Sequence, residues 1–396
     1  MQDTLHPPSS PSRRLLPLTF VAFLGFLAVG IPLPVLTLFV RDHLGFSSFT
    51  GGVVVGTQSI ATLFSRRLAS RLCDEVGAKA TSLLGLLIAS VAGLCYLLAA
   101  SQAAHPVGAV VALLLGRVSL GVGESLFITA LAAWNVARVG DAHAGRVMAW
   151  SGISMYGAMA LGAPFGTWTY GGSGFYGIAL WTVMTPVAAL LVAIVVPRAL
   201  TGLKPPAPAS YGRLLRTIWA PGLSMALASC GIGTLSAFLA LLYEQMHWVG
   251  AGTAYTAFGM AYIAMRLFFA GLPDRLGGTI TASFSLLIEV IGLALIWLAP
   301  TAMTALFGAV ITGIGYSLVF PSLGVEALRL SPNYSRAAVL GAYLACFDLG
   351  LAMAGPFAGA VADQLGTHAV FPMAAAAAAC SLIVVSAKLR RRRTPL

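Results

Sequence analysis

Charged residues are scarce in this 396-residue chain, and their scarcity excludes a water-soluble globular fold. Only 9% of the residues are Asp, Glu, Lys or Arg, whereas 58% are hydrophobic and the mean hydropathy is +0.89. Soluble domains contain about 25% charged residues. Because no soluble core needs this much apolar surface, the composition predicts an integral membrane protein.

Cysteine is also scarce, and its spacing excludes a zinc site or a disulfide framework of the usual kind. The five cysteines lie far apart and are Cys73, Cys95, Cys230, Cys346 and Cys380. The catalytic motif His-Glu-x-x-His is absent, and so is any sign of a soluble signalling domain. We therefore expect no metal, no cofactor and no enzymatic activity.

Lys and Arg are nearly missing from every second connection between the long apolar stretches. Of the 23 Lys and Arg residues, all but Arg41 and Arg117 lie in or beside the alternating connections. Positive residues are retained on the cytoplasmic side of an inner membrane, so the alternation predicts a multi-pass bacterial inner-membrane protein with both termini in the cytoplasm. The net charge is +11, but its dispersal along the chain argues against nucleic acid as a partner.

Twelve apolar stretches are long enough to cross about 30 Å of hydrocarbon as helices of about 20 residues. They lie near residues 15–40, 48–68, 80–100, 107–134, 145–168, 175–196, 218–243, 252–271, 279–299, 302–328, 336–362 and 368–388. These lengths predict an all-α integral membrane fold.

A polar, proline-rich segment divides the spans into two sets of six. It contains Lys204-Pro-Pro-Ala-Pro208 and is typical of a linker. The predicted units are a cytoplasmic tail at 1–14, a six-helix bundle at 15–196, a cytoplasmic linker at 197–216, a second six-helix bundle at 217–388 and a basic cytoplasmic tail at 389–396.

The two halves repeat one another. At an offset of 200 residues, the repeated residues are Arg66, Asp74 and Gly77, which recur as Arg266, Asp274 and Gly277. At an offset of 192 residues, Gly121-Val-Gly123 recurs as Gly313-Ile-Gly315, and Pro164-Phe165 recurs as Pro356-Phe357. This internal duplication predicts two pseudo-symmetric bundles.

The repeated signature resembles that of the major facilitator superfamily, over essentially the whole chain. The family's signature loop has Gly, three residues, Asp-Arg, one residue, Gly-Arg and then a basic residue. The loop after span 2 is similar to it and reads Ser70-Arg-Leu-Cys-Asp74-Glu-Val-Gly77-Ala-Lys79. The loop after span 8 matches the signature more closely, with Asp274-Arg275-Leu-Gly277. Arg117-Val-Ser-Leu-Gly121-Val-Gly123 matches the family's span 4 motif, Arg-x-x-x-Gly-x-Gly. Within the superfamily, the sequences Gly121-Val-Gly-Glu124 and Phe320-Pro-Ser-Leu-Gly-Val-Glu326 resemble the bacterial branch called arabinose-efflux-permease-like.

The resemblance implies twelve helices in two pseudo-symmetric six-helix bundles, with substrate bound between them and exposed alternately to each side. The first, fourth, seventh and tenth helices would line the cavity. The loops with Asp74, Gly77 and Lys79 and with Asp274, Arg275 and Gly277 would latch the cytoplasmic side. Each glycine permits a sharp turn, and each Asp can accept hydrogen bonds from a helix N-terminus. A plain turn carrying a topogenic charge is the alternative.

Four ionisable residues lie well inside predicted spans, where a charge costs about 2.5 to 3.5 kcal/mol. Arg117 and Glu124 are separated by two helical turns, nearly on one face, so both can face a central cavity, although pinning neighbouring helices is the alternative. Asp348, near the middle of span 11, is a candidate proton carrier because a change in solvation or a nearby Arg changes whether a carboxyl binds a proton. For Glu289, in span 9, a structural hydrogen bond is favoured over a role in coupling.

Small residues and prolines in spans 5 and 11 predict close helix packing and bending at Gly162, Pro164, Gly355 and Pro356. In the superfamily, a Gly-Pro-x-x-Gly-Gly run in span 5 is typical of antiporters. Here Ala163 replaces the glycine before Pro164 and Thr167 replaces the first closing glycine, so the expectation of antiport rests on the branch resemblance. The polar and aromatic residues of the candidate cavity helices are Gln58, Trp134, Asn135, Tyr156, Tyr243, Tyr343 and Phe347. We interpret these as packed or lipid-facing rather than substrate-binding.

Together these features favour a monomeric transporter that exports a small organic solute, such as a sugar, drug or metabolite, by proton antiport. Its expected partners are the substrate, protons and the lipid bilayer. Arg117 would hold an anionic or polar group of the substrate, and Glu124 or Asp348 would carry the proton. Proton symport into the cell uses the same fold and acids and stays an alternative, as does a non-transporting membrane sensor or intramembrane enzyme.

Overall fold

A computed structural model describes residues 11–102, 105–140, 144–199, 211–334 and 336–393. Nearly all of these residues are helical. The central part of the predicted linker, residues 200–210, and the ends of both predicted tails, residues 1–10 and 394–396, lie outside the described residues.

The described residues form fourteen α-helices. They are α1 (Pro11–Gly30), α2 (Leu33–Leu38), α3 (Ser48–Glu75), α4 (Ala78–Ser101), α5 (Pro106–Val139), α6 (Ala144–Val195), α7 (Tyr211–Thr217), α8 (Trp219–Gln245), α9 (Ala251–Phe269), α10 (Leu272–Leu276), α11 (Gly278–Trp297), α12 (Ala302–Leu330), α13 (Arg336–Leu365) and α14 (Val370–Arg393). A π-helical turn, Phe39–His43, continues α2, and a 3-10 turn, Thr367–Ala369, precedes α14.

The prediction of a twelve-helix membrane fold is confirmed. Within the described ranges, nine helical stretches are long and apolar enough to cross a membrane. One of them, Trp150–Val195, has 46 residues and is broken at Gly174, so it supplies two crossings. With α3 and α9, which pack beside these helices, the chain has the twelve spans that the sequence predicts.

Contacts between the helices follow the internal repeat. In the first half, α4 packs on α5 and α6, α1 on α6, and α3 on α5; in the second half, α11 packs on α12 and α14, α9 on α12, and α8 on α13 and α14. The halves meet through α3 with α13, α6 with α9, and α2 with α8. We call residues 48–66 of α3 with 348–363 of α13 the α3–α13 seam, and residues 152–167 of α6 with 252–266 of α9 the α6–α9 seam.

Small residues allow the backbones to approach closely at both seams. A Cβ atom added to Gly52 would lie 2.5 Å from the carbonyl carbon of Gly355 and 3.0 Å from the nitrogen of Pro356. In the other seam, a Cβ atom on Gly252 would lie 3.1 Å from the Cα atom of Pro164. In lipid, such close van der Waals packing drives helix association, because lipid tails are as apolar as the side chains.

Two membrane faces are distinguished by their turns. Gly77 and Gly277 each have φ +89°, a left-handed conformation that only glycine adopts cheaply, and they directly precede α4 and α11. We call the membrane face with these two turns the basic face, since Lys79 and Arg275 lie there. The face with the turns at Gly174 and Gly366 is the opposite face.

Candidate substrate and proton-coupling site

Arg117 is buried inside the first half rather than exposed to a cavity. Its side chain is 2% exposed, and Nη2 donates a hydrogen bond to the Val55 carbonyl oxygen of α3 at 2.9 Å. Nε and Nη1 have no hydrogen-bond partner in the described part of the chain. This geometry ties α5 to α3, as in the helix-pinning alternative, and it leaves Arg117 poorly placed to hold a substrate.

Glu124 lies two turns further along α5 and is only partly buried. Nε2 of Gln58, on α3, donates a hydrogen bond to Oε2 of Glu124 at 2.6 Å, and the Thr62 hydroxyl lies 3.4 Å from the same oxygen. Gln58 was interpreted as a packing or lipid-facing residue, and it is instead the closest partner of this carboxylate. The two helices come close enough because Gly121 has no side chain: a Cβ atom there would lie 2.8 Å from the Cβ of Ala61.

Asp348 pairs with a residue that the sequence grouped with the basic loops. Nε of Arg66 lies 2.5 Å from Oδ2 of Asp348, across the α3–α13 seam. The exposed fractions of the two side chains are 21% and 5%, so this ion pair is largely removed from solvent. Arg66 therefore lies in the interior between the halves. The one feature of the sequence that sets it apart from the other basic residues beside span 2 is its recurrence as Arg266.

Glu124 is the carboxylate that the other three charged residues of this region affect. Glu124 lies within electrostatic range of Asp348, Arg66 and Arg117. A proton gained by Asp348 would remove the charge that Arg66 binds, and Glu124 is the other carboxylate close enough to attract the released guanidinium. The arrangement can therefore exchange a proton for an inter-half contact.

Tyrosines and an arginine occupy the repeated positions in the other seam. The rings of Tyr156 on α6 and Tyr262 on α9 stack with centroids 3.8 Å apart. Nη1 of Arg266 donates to the Tyr262 hydroxyl at 2.7 Å and to the Ser317 carbonyl oxygen at 3.0 Å. Tyr316 on α12 lies beside Tyr262, with centroids 6.3 Å apart. This aromatic cluster was not singled out by the sequence as a site.

Glu289 does not form the structural hydrogen bond that the sequence favoured. Its side chain is 0% exposed on α11, and neither carboxyl oxygen has a hydrogen-bond partner among the described residues. It lies against Gly231 of α8, and the backbone of Gly315 on α12 packs against its main chain. Glu289 is thus within the second half and is separate from the Arg66–Asp348 pair.

The described side chains of the two predicted latch loops, after α3 and after α9, make no hydrogen bond or ion pair between the halves in this conformation. Asp74 is exposed, and its carboxylate accepts no hydrogen bond from another helix among the described residues. Lys79 instead donates to the carbonyl oxygens of Ile194 and Val196, at 2.6 and 2.7 Å, and so binds the C-terminal end of α6. Arg275 is exposed, and the side chain of Asp274 lies outside what the structure describes.

The predicted packing residues lie where helices approach most closely. Gly162 faces the backbone of Gly30 and Ile31 on α1, with a hypothetical Cβ 3.0 Å from the Gly30 carbonyl carbon. Gly355 and Pro356 face α3, and Pro164 faces α9, so three of these four residues pack across the two seams, whereas Gly162, on the same stretch of α6, packs against α1.

Asp363 holds the halves together at the opposite face, and the sequence did not identify it. Its two carboxylate oxygens accept hydrogen bonds from the backbone amides of Ser48 and Phe49, at 2.7 and 2.9 Å. These amides form the N-terminus of α3, where the helix dipole favours a negative charge. Nearby, the Thr37 hydroxyl donates to the Ala237 carbonyl oxygen at 2.6 Å, joining α2 to α8. Contacts between the halves therefore extend from Asp363, at the opposite face, to the Arg66–Asp348 pair inside the membrane.

No three His, Cys, Asp or Glu residues of the described ranges lie close enough together to hold a metal ion.

A small cavity of about 20 Å³ lies nearer the opposite face, among Gly30, Tyr156, Ser236 and Phe258. That volume holds about one water molecule. This cavity is therefore too small to hold an organic solute.

Comparisons with known proteins agree with this architecture. A model of the Major Facilitator Superfamily matches residues 18–251 and again residues 222–396. An uncharacterized MFS-type transporter of Salmonella typhimurium is 42% identical over 384 residues, covering 96% of this chain and 98% of that protein. The uncharacterized MFS-type transporter YhhS of Escherichia coli is 38% identical over 371 residues, covering 94% and 91%.

Solved structures share the fold at low sequence identity. A bacterial homolog of the human lysosomal transporter Spinster, inward-facing and unoccupied, superimposes with a TM-score of 0.74 at 16% identity, covering 99% of this chain and 100% of that one. A POT family transporter in complex with 5-aminolevulinic acid gives a TM-score of 0.76 at 15% identity, covering 99% and 98%. Because the family model and these relatives span nearly the whole sequence, the chain belongs to the Major Facilitator Superfamily and is a multi-pass membrane transporter.

Proposed function

We propose that this chain exports a small organic solute from the cytoplasm in exchange for protons, by alternating access between bundles at 15–196 and 217–388. The observation that carries the proposal is the Arg66–Asp348 ion pair, which joins the two halves beside Glu124. A charge inside a membrane is costly and is a functional candidate by default. An acid whose charge holds the halves together is a direct means of linking proton binding to their separation.

The proposed cycle begins from the conformation described above. Protonation of Asp348 neutralises the carboxylate, so the ion pair is lost and the α3–α13 seam weakens. Arg66 is then free to turn toward Glu124, which keeps the arginine charge compensated. Transport requires only that the proton and the substrate favour different arrangements of the two halves.

The alternation would exchange contacts at the two membrane faces. Asp363 and Thr37 join the halves at the opposite face in this conformation, whereas Asp74 makes no such contact at the basic face. We propose that the basic face is cytoplasmic, that both termini lie there and that the protein acts as a monomer. In the outward-open state the Asp363 contact would break, and the loops with Asp74 and Asp274 would close the cytoplasmic side.

The coupling is tested with everted membrane vesicles and an imposed pH gradient. A growth screen of a deletion strain against a panel of toxic sugars, drugs and metabolites first identifies a transported solute. We expect Asp348→Asn and Glu124→Gln each to lose pH-driven transport while retaining exchange of solute across the membrane. Asp42→Asn, which removes an exposed acid of the opposite face, is the control and keeps both activities.

The same experiment separates export from import. The vesicle interior is made more acidic than the outside, so that protons flow out. Solute that enters the vesicles as protons leave supports antiport, and solute that leaves with the protons supports symport. If both acid variants keep wild-type pH-driven transport, these carboxyl groups do not carry the proton and the proposal is wrong.

A further inference from the structure

We propose that Arg266, with Tyr156 and Tyr262, forms a subsite for the carboxylate of a small organic anion. This inference rests on the proposed transport function and assigns a chemical class to its substrate. Arg117, the residue that the sequence favoured for this role, is 2% exposed and bound to α3, whereas Arg266 is only half-buried between the halves.

Arg266 has hydrogen-bond donors that the protein leaves unused. A guanidinium group has five N–H donors in a planar fork. Nη1 of Arg266 uses its donors for the Tyr262 hydroxyl and the Ser317 carbonyl oxygen, which fixes the orientation of the fork. Nε and Nη2 donate no hydrogen bond to the described residues. One edge of the fork is therefore available, and a carboxylate matches its geometry with two parallel hydrogen bonds.

Among the described residues, Arg266 has no counter-ion, whereas the equivalent Arg66 has one. The salt bridges of the described residues are Arg66–Asp348 and Arg41–Asp42, so none involves Arg266. At the position equivalent to Asp348, offset by 192 residues, the other seam has Tyr156. A positive charge in a membrane span without a protein anion is costly, and a bound anion offsets that cost.

The space beside the fork is open and its wall is aromatic. Gly152 on α6 faces Arg266, and among the described residues a Cβ atom there would meet only Nη2, at 3.8 Å. The Tyr156–Tyr262 stack forms the adjoining surface, and the Arg266 guanidinium carbon lies 5.7 Å from the centroid of the Tyr262 ring. An anion that also carries an apolar or aromatic body fits these surroundings better than an inorganic ion does.

The test measures binding to the purified full-length chain in detergent, without any transport step. Benzoate is the anionic probe, and benzamide is its uncharged analogue of nearly the same shape. We expect benzoate, but not benzamide, to bind and to raise the unfolding temperature. Arg266→Gln should weaken benzoate binding roughly 10- to 100-fold, because hydrogen bonds to charged groups contribute about 1.5 to 3 kcal/mol. Arg266→Lys, which keeps the charge but not the fork, should give a smaller loss.

Two further variants separate binding from folding. Gly152→Val fills the space beside Nη2 and should weaken benzoate binding while leaving every Arg266 hydrogen bond in place. Arg213→Gln removes an exposed positive charge from α7 and should bind benzoate like the wild type. Equal binding of benzoate by the wild type and Arg266→Gln would overturn the subsite, and so would benzoate binding no more tightly than benzamide. Neither result affects proton antiport, which the vesicle experiment tests independently.

Discussion

The α3–α13 seam holds an ion pair, whereas the α6–α9 seam holds stacked tyrosines at the repeated positions. Arg66 and Arg266 are equivalent at an offset of 200. Arg66 pairs with Asp348 across its seam, whereas the residue equivalent to Asp348, at an offset of 192, is Tyr156, which stacks on Tyr262. The glycine and proline packing is alike in both seams. The same close backbone packing thus surrounds an ion pair in one seam and aromatic rings in the other.

This difference shows how the two halves of a duplicated fold can acquire side chains suited to different functions. Glu124, which accepts a hydrogen bond from Gln58, corresponds to Tyr316, and Thr62 corresponds to Tyr262. Carboxylates change charge when they bind a proton, whereas tyrosines stay neutral near pH 7. This difference underlies our two proposals, which place proton coupling at the α3–α13 seam and substrate recognition at the α6–α9 seam.

The largest effect is expected from breaking the ion pair. Arg66→Gln leaves the carboxylate of Asp348, 5% exposed, without its charged partner, and such a change costs about 3 to 5 kcal/mol of stability. The double variant Arg66→Gln with Asp348→Asn removes both charges and should regain most of that stability, yet it should not respond to a pH gradient. Thermal unfolding in detergent and vesicle transport measure the two properties. A double variant as unstable as Arg66→Gln would show that the pair is not the source of the loss.

The next effect is expected from making the aromatic seam resemble the charged one. Tyr156→Asp places a carboxylate opposite Arg266, where it should compete with an external anion. We expect benzoate affinity to fall about tenfold relative to Tyr156→Asn, which loses the same ring but adds no charge; tenfold corresponds to about 1.4 kcal/mol. Titration of both purified variants measures the difference, and equal affinities would contradict the division of work.

A smaller effect is expected at the end of the α3–α13 seam. Asp363→Ala removes the acceptors for the Ser48 and Phe49 amides, and loss of a helix N-cap costs about 1 kcal/mol. Opening at the opposite face should therefore become about fivefold more populated. The labelling rate of a single cysteine at Ser236, in an otherwise cysteine-free chain, reports this opening. An unchanged rate would show that Asp363 does not hold this face closed.

The smallest effect is expected within the second half. Glu289 has no hydrogen-bond partner in the described chain, and its counterpart at an offset of 200 is Ala89. Because an ionised carboxylate without a partner is costly in an apolar environment, we expect Glu289 to be neutral and Glu289→Gln to change stability by less than about 1 kcal/mol. Thermal unfolding and vesicle transport check this. Loss of pH-driven transport would add Glu289 to the coupling residues.

Much of the architecture could be predicted from local properties. The twelve spans follow from lengths of apolar sequence, and the break at Gly174 falls between the predicted fifth and sixth spans. The turns at Gly77 and Gly277 follow from the conformational freedom of glycine. The two-bundle fold followed from the repeat and the family resemblance.

The sequence by itself therefore determined the membrane fold, its duplication and the short set of buried charges. Tertiary structure alone decided which charges meet: Asp348 pairs with Arg66, which is 282 positions away, and Arg117 turns toward its own bundle. The physical reason is that lipid and protein neighbours are both apolar, so the pattern of apolar residues on a membrane helix does not reveal which side faces the centre. Only the packing of the helices orients each side chain.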